Sequence, residues 1–142
     1  MTTNIIATRL HDVVGATPTT VVWSGPAALA AVTGLDVDAA EDLLRRQTGR
    51  QSLMRLTLGE LADAISTLGP RVWLERTPDR PSFSAFRRSR SPELRRRTLV
   101  VLVGSSFVVL CGNRTVDSRS REPVLASSTP NQRIKVEGFI AL

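Results

Sequence analysis

The sequence predicts a single α+β domain in which helices come first and an antiparallel sheet follows. Three observations predict it. Between residues 24 and 68, apolar residues recur at helical spacing behind capping residues. From residue 99 onward, short β-branched runs alternate with turns that contain glycine. The length, 142 residues, fits one domain spanning 1–142 and leaves little room for a second.

Residues 4–23 read as extended and loop-like, with Ile5-Ile6, Val13-Val14 and Val21-Val22-Trp23 around a turn cluster from Gly15 to Thr20. A helix follows from about 25 to 33. Ser24 is suited to its N-cap, Pro26 to its first turn and Gly34 to the residue after its end. Its alanine-rich middle, Ala27 to Ala31 around Leu29, lets neighbours approach closely, which marks it as the central helix. A second helix runs from the cap Asp36 to about Gln47, with Val37, Ala40, Leu43 and Leu44 on one face. Its acids precede Arg45 and Arg46, the order that the helix dipole favours. Thr57-Leu58-Gly59-Glu60 has the capping-box pattern and opens a third helix with Leu58, Leu61, Ala62, Ile65 and Leu68 inward, ended by Gly69-Pro70.

Residues 71–75 alternate like a strand. Leu99 to Val103 is a buried strand, Gly104-Ser105-Ser106 a turn and Phe107 to Cys111 a second strand. Gly112-Asn113 makes a tight hairpin turn into Arg114 to Asp117. A last strand covers Ile134 to Ile140, where alternation places Ile134, Val136 and Gly138 on one face.

Composition narrows the function classes. The chain is 42% hydrophobic and 23% charged, which argues against wholesale disorder. Only 4% is aromatic, with no tyrosine, so the core is aliphatic and a base-stacking platform for single-stranded nucleic acid is disfavoured. Cys111 is the only cysteine and reads as a small buried hydrophobe. His11 is the only histidine and reads as a surface or strand-edge residue, while Trp23 and Trp73 read as packing groups. Zinc-type ligand sets are therefore excluded, and no cofactor or metal is expected. The N-terminus lacks the basic and apolar regions of a secretory signal, and no apolar run reaches membrane-spanning length, so no membrane association is expected.

The net charge is +6, carried by eighteen arginines and the single lysine Lys135 against thirteen acids. Between 76 and 97, Arg76, Arg80, Arg87, Arg88, Arg90, Arg95, Arg96 and Arg97 face only Asp79 and Glu93, a balance that equals the charge of the whole chain. Ser82 can cap a short helix carrying Phe83 and Phe86 there, between Pro78, Pro81 and Pro92. The stretch reads as an exposed insertion that seeks an acidic partner. That partner is either a protein surface, where arginine pairs with carboxylates, or the phosphates of nucleic acid bound without sequence preference. No helix-turn-helix, zinc-finger or ribonucleoprotein signature accompanies it.

The run Trp23-Ser24-Gly25-Pro26-Ala27-Ala28-Leu29-Ala30-Ala31-Val32-Thr33-Gly34 resembles the nucleophile helix of papain-like cysteine peptidases. It is similar in particular to the small bacteriocin-processing-like members and to related short proteins of tailed phages, where a cysteine precedes Gly-Pro-Ala-Ala-Leu. Gly104 to Leu110 followed by Arg114 to Ser118 resembles the strand pair that carries the family's histidine and then its Asn or Asp, and Arg121 to Val124 with the last strand also fits. The resemblance implies a papain-like fold, with N-terminal helices packed on a C-terminal antiparallel sheet, over most of the chain outside the arginine-rich segment. It puts Ser24 at the nucleophile position, Ser106 at the histidine position (Ser105 or Phe107 in the neighbouring registers) and Asp117 at the orienting position.

In such an arrangement a thiolate sits at a helix N-terminus and an imidazole from the sheet deprotonates it. Here both reactive positions are changed. A Cys-to-Ser trap would keep its histidine, so the double loss implies a natural pseudoenzyme with no catalytic residues, in which Ser24, Ser106 and Asp117 are vestigial. Asp117 also reads simply as a strand end paired with an arginine. The expected function is a structural or binding module. The phage likeness makes it a virion component, in capsid, head–tail junction or tail, found in the virion or the host cytoplasm and gripping other subunits through its arginines. The rival from another class is a hydrolase or peptidase using Ser24, with His11 as its base.

Overall fold

The computed structural model describes residues 24–117, 123–130 and 132–142. Among them the chain forms five α-helices and a six-stranded sheet. The helices are α1 (Ser24–Thr33), α2 (Val37–Thr48), α3 (Leu58–Thr67), α4 (Phe83–Ser89) and α5 (Pro92–Arg96). The strands are β1 (Trp73–Arg76), β2 (Thr98–Val103), β3 (Ser106–Cys111), β4 (Arg114–Val116), β5 (Val124–Leu125) and β6 (Val136–Ala141), and a 3₁₀ turn covers Ala126–Ser128. The sheet order is β1-β6-β2-β3-β4-β5, with every neighbouring pair antiparallel. The α+β class read from the sequence is therefore correct. The expected segments before residue 24, with His11 and Trp23, and those at 118–122 lie outside the described residues.

The caps explain where the first helices start. Asp36 accepts the Ala39 N–H at 2.8 Å to open α2. Thr57 and Glu60 exchange hydrogen bonds at 3.0 and 2.9 Å to open α3, and Arg50 grips the same Glu60 carboxylate at 2.8 Å. Ser24 differs from its expected role. It is the first residue of α1 rather than its cap, and its hydroxyl turns outward from the helix to β3. Gly25 to Ala31 are all buried, as the alanine-rich pattern implies.

The helices do not all lie on one side. Strands β2 and β3 send alternate residues to opposite faces. Val100, Phe107, Val109 and Cys111 pack with α1, α2 and α3, whereas Leu99, Val101, Val108 and Leu110 pack with Phe83 and Phe86 of α4 and Leu94 of α5. The sheet is thus covered on both faces, and the simple order of helices first and sheet after is incomplete. Strand β1 joins the far edge by pairing with β6, and α4 and α5 form the second covering layer. Phe83 is fully buried and the Phe86 ring meets Phe139 at 5.4 Å, so each contributes burial worth about 1.5–3 kcal/mol.

Two details fix the registers. The loops Gly104-Ser105 and Gly112-Asn113 join paired residues, Val103 to Ser106 and Cys111 to Arg114. In each the glycine comes first and has positive φ, +63° and +58°, as a type II′ hairpin requires. In β6, Leu102 pairs with Gly138 but Val103 pairs with Val136, so Glu137 is the extra residue of a bulge. The bulge overturns the expected common face for Ile134, Val136 and Gly138. Val136 packs with Phe139 and Ala141, Gly138 lies against Leu58 on the other side, and Ile134 is 43% exposed before the strand begins.

Candidate functional site

Two groups of residues carry chemistry. The first lies at one end of the sheet. The Phe107 N–H donates to Ser24 Oγ at 3.1 Å, joining the start of α1 to the start of β3. Strand β4 ends at Val116, opposite Val109, so Phe107 lies beyond the end of that ladder and the serine hydroxyl supplies an acceptor there. Asp117 follows Val116 directly and is half-buried at the same end of the sheet.

Ser106 does not share this face. It pairs with Val103, and alternation along β3 sets it with Val108 and Leu110 on the α4 side, while Phe107 is the residue that packs toward α1. The residue of β3 that bonds Ser24 is thus Phe107, the neighbouring register, and not Ser106. The alternation of Phe107, Val109 and Cys111 against Val108 and Leu110 was the available signal. It is weak in sequence because both sets are apolar. His11 lies outside the described residues. Cys111 is buried, with Sγ 3.5 Å from Thr98 Oγ1. Among the described residues, no group of three or more His, Cys, Asp or Glu could hold a metal, and no helix is long and apolar enough to cross a membrane.

The second group is the arginine-rich segment, which is folded onto the sheet rather than standing out from it. The Thr77 N–H bonds the Glu137 carbonyl at 3.2 Å, the Phe83 N–H bonds the Ile134 carbonyl at 2.9 Å and the Val136 N–H bonds the Pro81 carbonyl at 2.7 Å. Arg80 adopts φ +46°, a left-handed conformation rare for a residue with a side chain, and places its guanidinium 2.7 Å from Glu137. Arg97 stacks 4.6 Å above the Trp73 ring and pairs with Glu93 at 3.2 Å. Arg76, Arg88 and Arg96 are exposed.

The remaining three are held by neutral acceptors. Arg87 Nη2 donates to Gln132 Oε1 at 2.8 Å, with its guanidinium 5.7 Å from the Phe83 ring centre. Arg90 Nε donates to the Arg87 carbonyl at 3.0 Å, and Arg95 donates to the carbonyls of Arg90 and Arg88 at 3.1 and 2.9 Å. Arg90 is only 9% exposed, and its Nη1 is buried without a hydrogen-bond partner, as is Arg87 Nε. Burial, followed by the charges of Arg95 and Arg87, pushes the Arg90 pKa below its ordinary value; burial and then Arg88 do the same for Arg87. The expectation of uniform exposure thus fails for Arg87, Arg90 and Arg97. Gln132 and Trp73, which hold two of these arginines, carried no sequence signal for that role.

No protein-family model, curated protein or solved structure matches this chain.

Proposed function

We propose that the chain is a catalytically inactive protein on a papain-like scaffold, acting as a structural or binding module. The observation that carries the reading is the Phe107 N–H directed at Ser24 Oγ. A serine nucleophile needs a base to take its proton, and covalent catalysis needs both members of that pair. Here the hydroxyl oxygen at the helix start receives a backbone donor, and the side chain beside it is a phenyl ring. Neither group accepts a proton at neutral pH.

The arginine-rich segment is the gripping surface. Its exposed members Arg76, Arg88, Arg95 and Arg96 suit acidic neighbours in a large assembly, of which a phage virion is the most specific version. The test is sedimentation of the native protein from its source lysate, with and without nuclease. Fast sedimentation that resists nuclease is expected. Collapse after nuclease treatment would make nucleic acid the partner. Slow sedimentation in both cases would overturn the assembly reading, and turnover abolished by Ser24→Ala would overturn the inactive one.

A further inference from the structure

Arg87, Arg90 and Arg95 form a cationic cluster at the α4–α5 junction that no described carboxylate neutralises. The nearest acid in sequence, Glu93, is engaged by Arg97, and Glu137 by Arg80. Fixed by Gln132 and by the carbonyls of Arg87, Arg88 and Arg90, the three guanidiniums are held in place despite mutual repulsion. Arg90 is nine-tenths buried with Nη1 unpartnered, and Arg87 Nε beside it is in the same condition. A buried charge without a counter-charge is costly. Arginine cannot relieve that cost by losing its proton, so relief has to come from an anion.

We infer that Arg87, Arg90 and Arg95 form a discrete oxyanion site for a phosphate monoester dianion. One carboxylate would neutralise a single guanidinium. A phosphoryl dianion neutralises two and offers three terminal oxygens to planar donor edges, the geometry that arginine recognises best. Arg95 and Arg88, at the same junction, are exposed. Arg96, on the same short helix as Arg95 but outside the hydrogen-bonded cluster, takes no part.

This deepens the reading of the arginine-rich segment as the gripping surface by naming the group it grips. The test is thermal unfolding of the full chain with inorganic phosphate, methyl phosphate, dimethyl phosphate, acetate or chloride at matched ionic strength. With phosphate at tenfold its dissociation constant, the midpoint should rise by about 4 °C and then climb only with the logarithm of the phosphate concentration, with methyl phosphate acting alike. Arg90→Gln and Arg95→Gln should each remove this rise, and Arg96→Gln should keep it; two cluster variants guard against one failing to fold. A rise equal in chloride, equal in acetate, or retained in both cluster variants would overturn the site. An equal rise with dimethyl phosphate would overturn the monoester and point to a nucleic-acid backbone. Because the isolated chain is used, failure here leaves the sedimentation result standing, and failure there leaves the anion site standing.

Discussion

Ser24 and Phe107 lie 83 positions apart in the chain and meet through one hydrogen bond of 3.1 Å, from the Phe107 amide to the Ser24 hydroxyl. The contact closes the gap that β4 leaves by stopping short, and it ties the first turn of α1 to the beginning of β3. The Ser24 hydroxyl serves here as an acceptor for backbone.

Removing that acceptor has a defined cost. Ser24→Ala leaves the Phe107 N–H without its partner and should lower stability by about 1 kcal/mol, read as a lower urea midpoint with an unchanged slope. An unchanged midpoint would mean that water replaces the hydroxyl without loss.

Gly138 is enclosed more tightly than any replacement allows. A Cβ there would stand 2.6 Å from Leu58 Cδ1 and 2.7 Å from the Glu75 carbonyl oxygen. Leucine could rotate away, but the backbone of β1 cannot without breaking its pairing with β6. Gly138→Ala should therefore cost about 1–3 kcal/mol in denaturant unfolding. Amide exchange should quicken first at Thr77, whose N–H donates to the Glu137 carbonyl, and at Glu75, two residues before it on the side of the edge strand that faces β6.

The Arg97 guanidinium lies 4.6 Å from the centre of the Trp73 ring, which is 37% exposed. Arg97→Ala uncovers that face, so Trp73 fluorescence should shift to the red and stability should fall by about 0.5–1 kcal/mol.

Arg90 gives a prediction about pH. Burial and its arginine neighbours lower its pKa in the folded state, so folding disfavours the charged form. The resulting penalty is fully present below the lowered pKa and is relieved only as pH rises through it. Arginine stays charged across the working range, so between pH 5 and pH 9 this group adds no slope to stability. Arg90→Met should accordingly raise stability in phosphate-free, low-salt buffer, by about 1 kcal/mol, the low end of the gain seen when buried ionic groups give way to apolar ones. The gain should be equal at pH 6 and pH 8. A loss in urea unfolding would show that its bond to the Arg87 carbonyl outweighs its desolvation.

What is legible in the sequence follows from where its signals are local. Asp36, Thr57 and Ser82 each sit three residues before the N–H they accept, so the starts of α2, α3 and α4 can be read directly. Gly112-Asn113 likewise declares its own hairpin. The edge position of β1 is not legible, because its partner Gly138 is about sixty residues away and nothing nearby marks it. The bulge at Glu137 is hidden because one extra residue leaves no trace in composition. Arg90 reads as a surface residue by its charge, yet it is buried and its head is held by the Arg87 carbonyl at the turn out of α4. Of the candidate site, Ser24 falls on the expected helix, and which residue of β3 meets it, Phe107 rather than Ser106, was not legible for want of a polar face to mark the alternation.

Strands β2 and β3 are apolar toward both coverings, and this has a consequence for assembly of the sheet. In a half-exposed strand, slipping by one residue puts greasy side chains in water and is rejected at once. Here a slipped pairing would still bury Val and Leu on each side, so oiliness does not decide the alignment. The duty passes to the glycine-first hairpins at 104 and 112 and to the crowding at Gly138. One residue inserted between Gly104 and Ser105 would leave the hydrophobic inventory intact and yet offer the chain two nearly equivalent sheets.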